Sequence, residues 1–117
     1  MEIEIQNLDE IVVVPEKFKN IENPPKFIFK TPNAADIIDF QLFNDITRTV
    51  VRCFLRFDNK PVLKKNGEII EYNSYSQFIG LGSSEIVNEI HAECCAKLLP
   101  IILGIKEKAG KTEKKLK

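Results

Sequence analysis

The chain carries no net charge: 17 Lys and Arg residues balance 17 Asp and Glu residues over 117 positions. Without a basic excess there is no electrostatic ground for nucleic acid as the default partner. It also lacks a run long enough to span a membrane, since its longest apolar stretch, Leu98 to Ile105, falls well short of the ~20 residues a bilayer requires. The opening Met1-Glu2-Ile3-Glu4 does not read as a basic, apolar leader. Cysteines are few and odd in number, Cys53, Cys94 and Cys95, which argues against a disulfide-framed secreted scaffold. These absences together predict a soluble protein of a reducing cytoplasm, with no membrane and no nucleic-acid partner. Chemistry is scarce as well. No glycine-rich phosphate cradle follows a predicted strand, and no nucleophile sits at a strand-to-helix turn.

What is present is ordinary globular composition, 44% hydrophobic and 29% charged, in a length that suits one core. The charge is unevenly spread. Residues 106–117 hold six lysines against Glu107 and Glu113, so the end of the chain is +4 and the rest −4. With Ala109 and Leu116 as its only apolar residues, the stretch 108–117 is expected to be a flexible tail on a single globular domain of residues 1–107.

The stretch Asn23 to Asp36 reads as a strand-to-helix junction. Prolines bracket the aromatic and β-branched run Phe27-Ile28-Phe29, and Thr31 stands as an expected N-cap before Pro32 at the first helical position. Alternation in Glu2-Ile3-Glu4-Ile5 and the β-branched run Glu10 to Val14 predict two earlier strands, with 16–25 as a loop. From Asn33 to Phe57 the periodicity is helical. Ile38, Leu42, Phe43, Ile46, Val50, Cys53, Phe54 and Phe57 share one broad face, and Gln41, Asn44, Asp45, Arg48 and Arg52 the other. Strand formers over 49–57 allow this helix to end early. Asn66-Gly67 between short apolar runs predicts a hairpin within 61–72. A short helix follows over 74–81. Ser83 or Ser84 then caps a last helix whose core stripe is Val87, Ile90, Cys94, Leu98, Ile101 and Ile105, with a kink or break expected near Lys97 because of Pro100. The fold class is therefore α+β: a mainly helical single domain with short N-terminal strands and a small β-hairpin.

Potential chemistry is thin when weighed residue by residue. His91 can share a helix face with Cys94 or Cys95, yet adjacent residues diverge by about 100° around the axis, so no complete metal set forms there. Asp36 and Asp39 fit the positive end of a helix dipole, and the ridge Arg48, Arg52, Arg56 fits a salt-bridged face. No catalytic residue, metal ligand or cofactor is assigned. The apolar arc of 33–57 is wider than one packing partner requires, and Leu98 to Ile105 is apolar on nearly every side. Ile37, Phe40, Val51 and Leu55, with Ile102 and Leu103, are the expected partner-binding residues.

The junction Pro25-Lys26-Phe27-Ile28-Phe29-Lys30-Thr31-Pro32-Asn33-Ala34-Ala35-Asp36, set between a short β segment and a helical body with a lysine-rich end, resembles the tail assembly chaperones of long-tailed bacteriophages and prophages. The resemblance spans about residues 10–108 in layout. It implies a non-enzymatic protein of the host cell cytoplasm that coats the long helical tape measure protein during tail morphogenesis; the wide apolar surface noted above allows a homo-oligomer as its other use. The rival expectation is a small cytoplasmic adaptor or regulatory protein-binding domain. A second rival, from another class, is an enzyme or metalloprotein centred on His91, Cys94 and Cys95.

Overall fold

Phe27, Ile28 and Phe29 favour extended backbone because aromatic and β-branched side chains fit a pleated, half-buried surface. In the computed structural model, which describes residues 1–4, 9–81 and 84–115 with side chains through Gly104, they form the central strand β2 (Lys26–Lys30). It is flanked by β1 (Glu10–Val13) and β3 (Phe54–Asp58) in an antiparallel sheet of order β1-β2-β3. Val12 faces Ile28, and Phe27 faces Phe57. Between Ile28 and Phe29 the register slips, so that Arg56 and Phe54 become their partners and Leu55 is the extra residue of a bulge. The expected strand at 2–5 is not seen: residues 2–4 are outside the sheet, and Ile5 lies outside the described residues. Without a neighbouring strand to pair, alternation alone does not hold an edge in place.

Helix α1 (Ala34–Phe43) starts two residues later than the Thr31 cap would place it. Thr31 is occupied elsewhere, its hydroxyl donating to the Asp9 carbonyl at 2.5 Å. Asn33 caps instead. Its side chain accepts from the Asp36 amide at 3.1 Å while the Asp36 carboxylate accepts from the Asn33 amide at 3.0 Å, a reciprocal capping box. The helical stretch expected from 33 to 57 is broken into three. Asn44 adopts the left-handed conformation (φ 49°, ψ 42°), which asparagine tolerates, and ends α1. Asp45 then caps α2 (Ile46–Cys53), accepting from the Arg48 amide at 3.2 Å. Phe54 turns extended and the chain enters β3, where the strand formers noted in the sequence prevail.

The hairpin forms as read, with β4 (Leu63–Lys65) and β5 (Glu68–Ile70) joined through Asn66 and Gly67, both at positive φ. Ser74 caps the short helix α3 (Tyr75–Ile79). Ser84 accepts from the Val87 amide at 3.4 Å and opens α4 (Glu85–Lys115), while Ser83 lies outside the described residues. Helix α4 continues through Pro100, so of the kink or break expected near Lys97 the break does not occur. The 3.6-residue ladder loses one bond there and keeps those on either side. The side chains of Ile105 and of the lysine-rich stretch 108–117 lie outside the described residues.

The core lies on one face of the sheet. Phe27 and Phe29 meet Phe57 and Phe54 across the strands at ring separations of 5.5 and 5.6 Å, and Tyr75 and Phe78 of α3 close over them. Val50 and Cys53 of α2 and Val87, Ile90, Cys94 and Leu98 of α4 complete it. Such rings each bury a large apolar area and add edge-to-face attraction, so this cluster dominates the stability.

Candidate functional site

The other side of β2 is assembled from charge. Asp36 is 1% exposed and Asp39 8% exposed; both face inward from α1. Lys30 of β2 reaches Asp36 Oδ2 at 2.5 Å, and Arg52 Nε of α2 donates to Oδ1 at 3.1 Å. Arg48 Nε bridges both oxygens of Asp39 at 2.9 and 3.0 Å. Farther along, Arg56 of β3 spans β2 to grip Glu10 of β1 through two bonds of 2.9 Å, and Ile28 between those strands is buried. Burial by itself would raise the Asp36 carboxyl. The Asn33 amide, the Lys30 ammonium and the Arg52 guanidinium outweigh it and hold the group below the ordinary carboxylate range. Buried carboxylates without such partners would each cost several kcal/mol. The arginine ridge read as a salt-bridged face therefore has that role, and Asp36 combines it with capping.

Turning the carboxylates inward turns Ile38 and Leu42 of α1 outward, and Phe43 is exposed at the end of the helix. Ile38 is 55% exposed, Leu42 73% and Phe43 56%, with the Arg48 guanidinium resting 4.0 Å from the Phe43 ring centroid. These three were expected on the core side of one long helix. The break at Asn44 resets the helical phase, so the core face of α2, Val50 and Cys53, does not continue onto α1. Of the partner-binding residues expected from sequence, Leu55 at the bulge and Leu103 on α4 are exposed. Ile37 and Phe40 are half-buried, and Val51 packs against the core. Ile102 is fully buried and is corrected from contact residue to interior residue. It lies four residues beyond Leu98, in the same step as Ile90, Cys94 and Leu98, and so falls on the buried stripe.

The second cluster joins α2, α3 and α4. Thr47 Oγ1 lies 2.8 Å from His91 Nε2, Tyr75 Oη 2.7 Å from His91 Nδ1, and Cys95 Sγ 3.5 Å from Nε2. Burial lowers the imidazole below its ordinary value, against a weaker upward pull from Asp45, so the ring is neutral at neutral pH. Burial pushes the Cys94 and Cys53 thiols up to about 12 and raises Cys95 and Tyr75 as well. A catalytic cysteine needs the opposite displacement, toward thiolate. Among the described residues no group of three His, Cys, Asp or Glu side chains is placed to hold a metal ion. An apolar cavity of about 160 Å³ opens beside Val62, Phe78, Ile86 and Ile90, below the ~300 Å³ at which small-molecule sites begin. A larger depression of about 390 Å³ has charged walls already engaged, with Lys17 3.0 Å from Glu89 and the Glu16 amide 3.0 Å from Glu93.

The Asn33–Asp36 box and the inverted α1 escaped the sequence reading. A signal for the break was present in Asn44-Asp45, a left-handed stop followed by a cap, although both residues also suit the polar face of one helix. Fold and site define a small α+β domain that presents an apolar helix face above a seam of buried ion pairs, and no described helix is long and apolar enough to cross a membrane. Comparison of the chain with protein-family models, with curated proteins and with solved structures gave no significant match.

Proposed function

We propose that the chain is a non-enzymatic protein-binding domain that covers an apolar helical client in the cytoplasm, and that the client is the tape measure protein of a long phage tail. One observation carries the binding reading: α1 buries Asp36 and Asp39 while Ile38, Leu42 and Phe43 stay in water. Orienting a helix this way forgoes the transfer free energy of three large side chains, about 1.5–3 kcal/mol each when fully buried, unless another molecule covers them. Burial raises the Cys95 thiol, away from the thiolate that a nucleophile requires, which favours this reading over an enzyme centred on His91 and Cys95. The phage assignment comes from the layout of the chain, and the exposed helix face suits a client made of long helices.

Co-expression with a tape measure protein tests the proposal. Supporting it, the client stays in the soluble fraction and co-purifies with the chain. A client equally insoluble with and without the chain overturns the chaperone assignment and leaves the adaptor.

A further inference from the structure

We propose that the outward face of α1 accepts an amphipathic helix whose apolar stripe is edged with carboxylates. The inference rests on the protein-binding reading above and adds the chemistry of the partner. Its apolar element is set by spacing. Ile38 and Leu42 stand one turn apart, with Phe43 at the end of the helix on the Asp39 side, so the patch is a short ridge on a helix roughly 15 Å long, suited to one crossing helix.

The charged rim follows from how the ion pairs are layered. Arg48 and Arg52 use Nε on Asp39 and Asp36, whose side chains are 10% and 2% exposed, while the arginine side chains remain 47% and 40% exposed. The anions lie beneath and the cations outside. Among the described residues the Nη groups of these two arginines make no hydrogen bond, Arg52 Nη1 standing 3.9 Å from Asp39 Oδ2. Stacking on Phe43 keeps the Arg48 guanidinium at the border of the apolar ridge. Asp45 is the exposed carboxylate nearby, and its Oδ1 already accepts the Arg48 amide. A helix presenting glutamates or aspartates beside its leucines would meet these outward donors in charge-assisted bonds. A second copy is a poorer fit, because a two-fold contact through α1 brings the same outward arginines of both copies into one interface.

The test titrates the intact protein with two designed peptides of ~20 residues, long enough to be helical in water, identical in their leucine stripe and flanked by Glu in one and Lys in the other. The Glu peptide is expected to bind at least ~10-fold more tightly at low ionic strength, and added salt should narrow the gap. Replacing Ile38 and Leu42 together by Ser should abolish binding of both. Equal or tighter binding of the Lys peptide overturns the proposal, as does failure of the wild-type protein to bind either one. A wild-type dimer that dissociates in the double variant makes a second copy the occupant and overturns it as well. Loss of the co-expressed client in the double variant, with both peptides binding alike, overturns the acidic rim alone. A client unaffected by the double variant removes the underlying reading too.

Discussion

Helices α1 and α4 are held in the fold by opposite rules. Helix α4 buries Val87, Ile90, Cys94, Leu98 and Ile102 and turns its polar residues to water, as an amphipathic helix at a core does. Helix α1 buries two carboxylates, each held by cations from β2 or α2, and leaves Ile38, Leu42 and Phe43 outside. The difference separates two functions of a helix face. In α4 hydrophobic burial secures the fold, whereas in α1 ion pairs secure the helix and its apolar side remains available for another molecule. Ion pairs are a weak route to stability, since desolvation offsets most of their attraction. Their use here is better understood as orientation.

The comparison breaks most visibly at its apolar end. Leu98→Ala, at a fully buried position, should cost about 2–5 kcal/mol in denaturant unfolding, from lost transfer energy and the cavity left behind. A cost below ~1 kcal/mol would show that α4 is not the anchor.

Asp36→Ala should come next, at about 2 kcal/mol. The figure is below that for breaking a fully buried pair, because Lys30 and Arg52 still reach water when the carboxylate is gone. Acid should act the same way. The folded carboxyl titrates below the ordinary 3.8 of the unfolded chain, so the unfolded state takes up the proton first as pH falls. The stability contributed by Asp36 is whole at neutral pH and is lost from about pH 4 downward through the folded value. Amide exchange should then quicken in Ala34–Phe43 before it does in Glu85–Leu98. Simultaneous release of both helices would blur the distinction between them.

A smaller effect belongs to His91, where α4 meets α2 and α3. Its folded value lies below the ordinary 6.5, so here too the unfolded chain binds the proton first. Stability should decline as pH falls through 6.5 and level off below the folded value, and His91→Gln should flatten that slope. An unchanged slope in the variant would remove His91 from the account. Smallest of all, Leu42→Ser should shift stability by no more than ~0.5 kcal/mol, as at other exposed positions. A larger loss would place Leu42 inside the fold and dissolve the contrast.

How much of this was legible in the sequence depends on the range of the forces involved. β1, β2, the Asn66-Gly67 hairpin, the short helix within 74–81, the serine cap of the last helix and the stripe Val87, Ile90, Cys94 and Leu98 follow from local propensity and period, and the α+β class with them. The orientation of α1 does not. Ile38, Leu42 and Phe43 read as core by hydrophobicity, and only the approach of Lys30, Arg48 and Arg52 from other elements makes burial of Asp36 and Asp39 the lower free-energy choice. The same cause moved the expected contact surface. Ile37, Phe40 and Val51 were read as widening the apolar arc of one helix toward a partner, whereas the stop at Asn44 rotates the two halves independently. Ile102 was displaced by register alone.

Amide hydrogen exchange on the complex recovered by co-expression with a tape measure protein, set beside the free chain, tests most directly that the outward face of α1 is where the client sits. Exchange is expected to slow over Ala34–Phe43 on complex formation and to stay unchanged over the buried stripe of α4. Protection confined to the hairpin, to α3 or to α4, with α1 exchanging as fast as in the free protein, would contradict it.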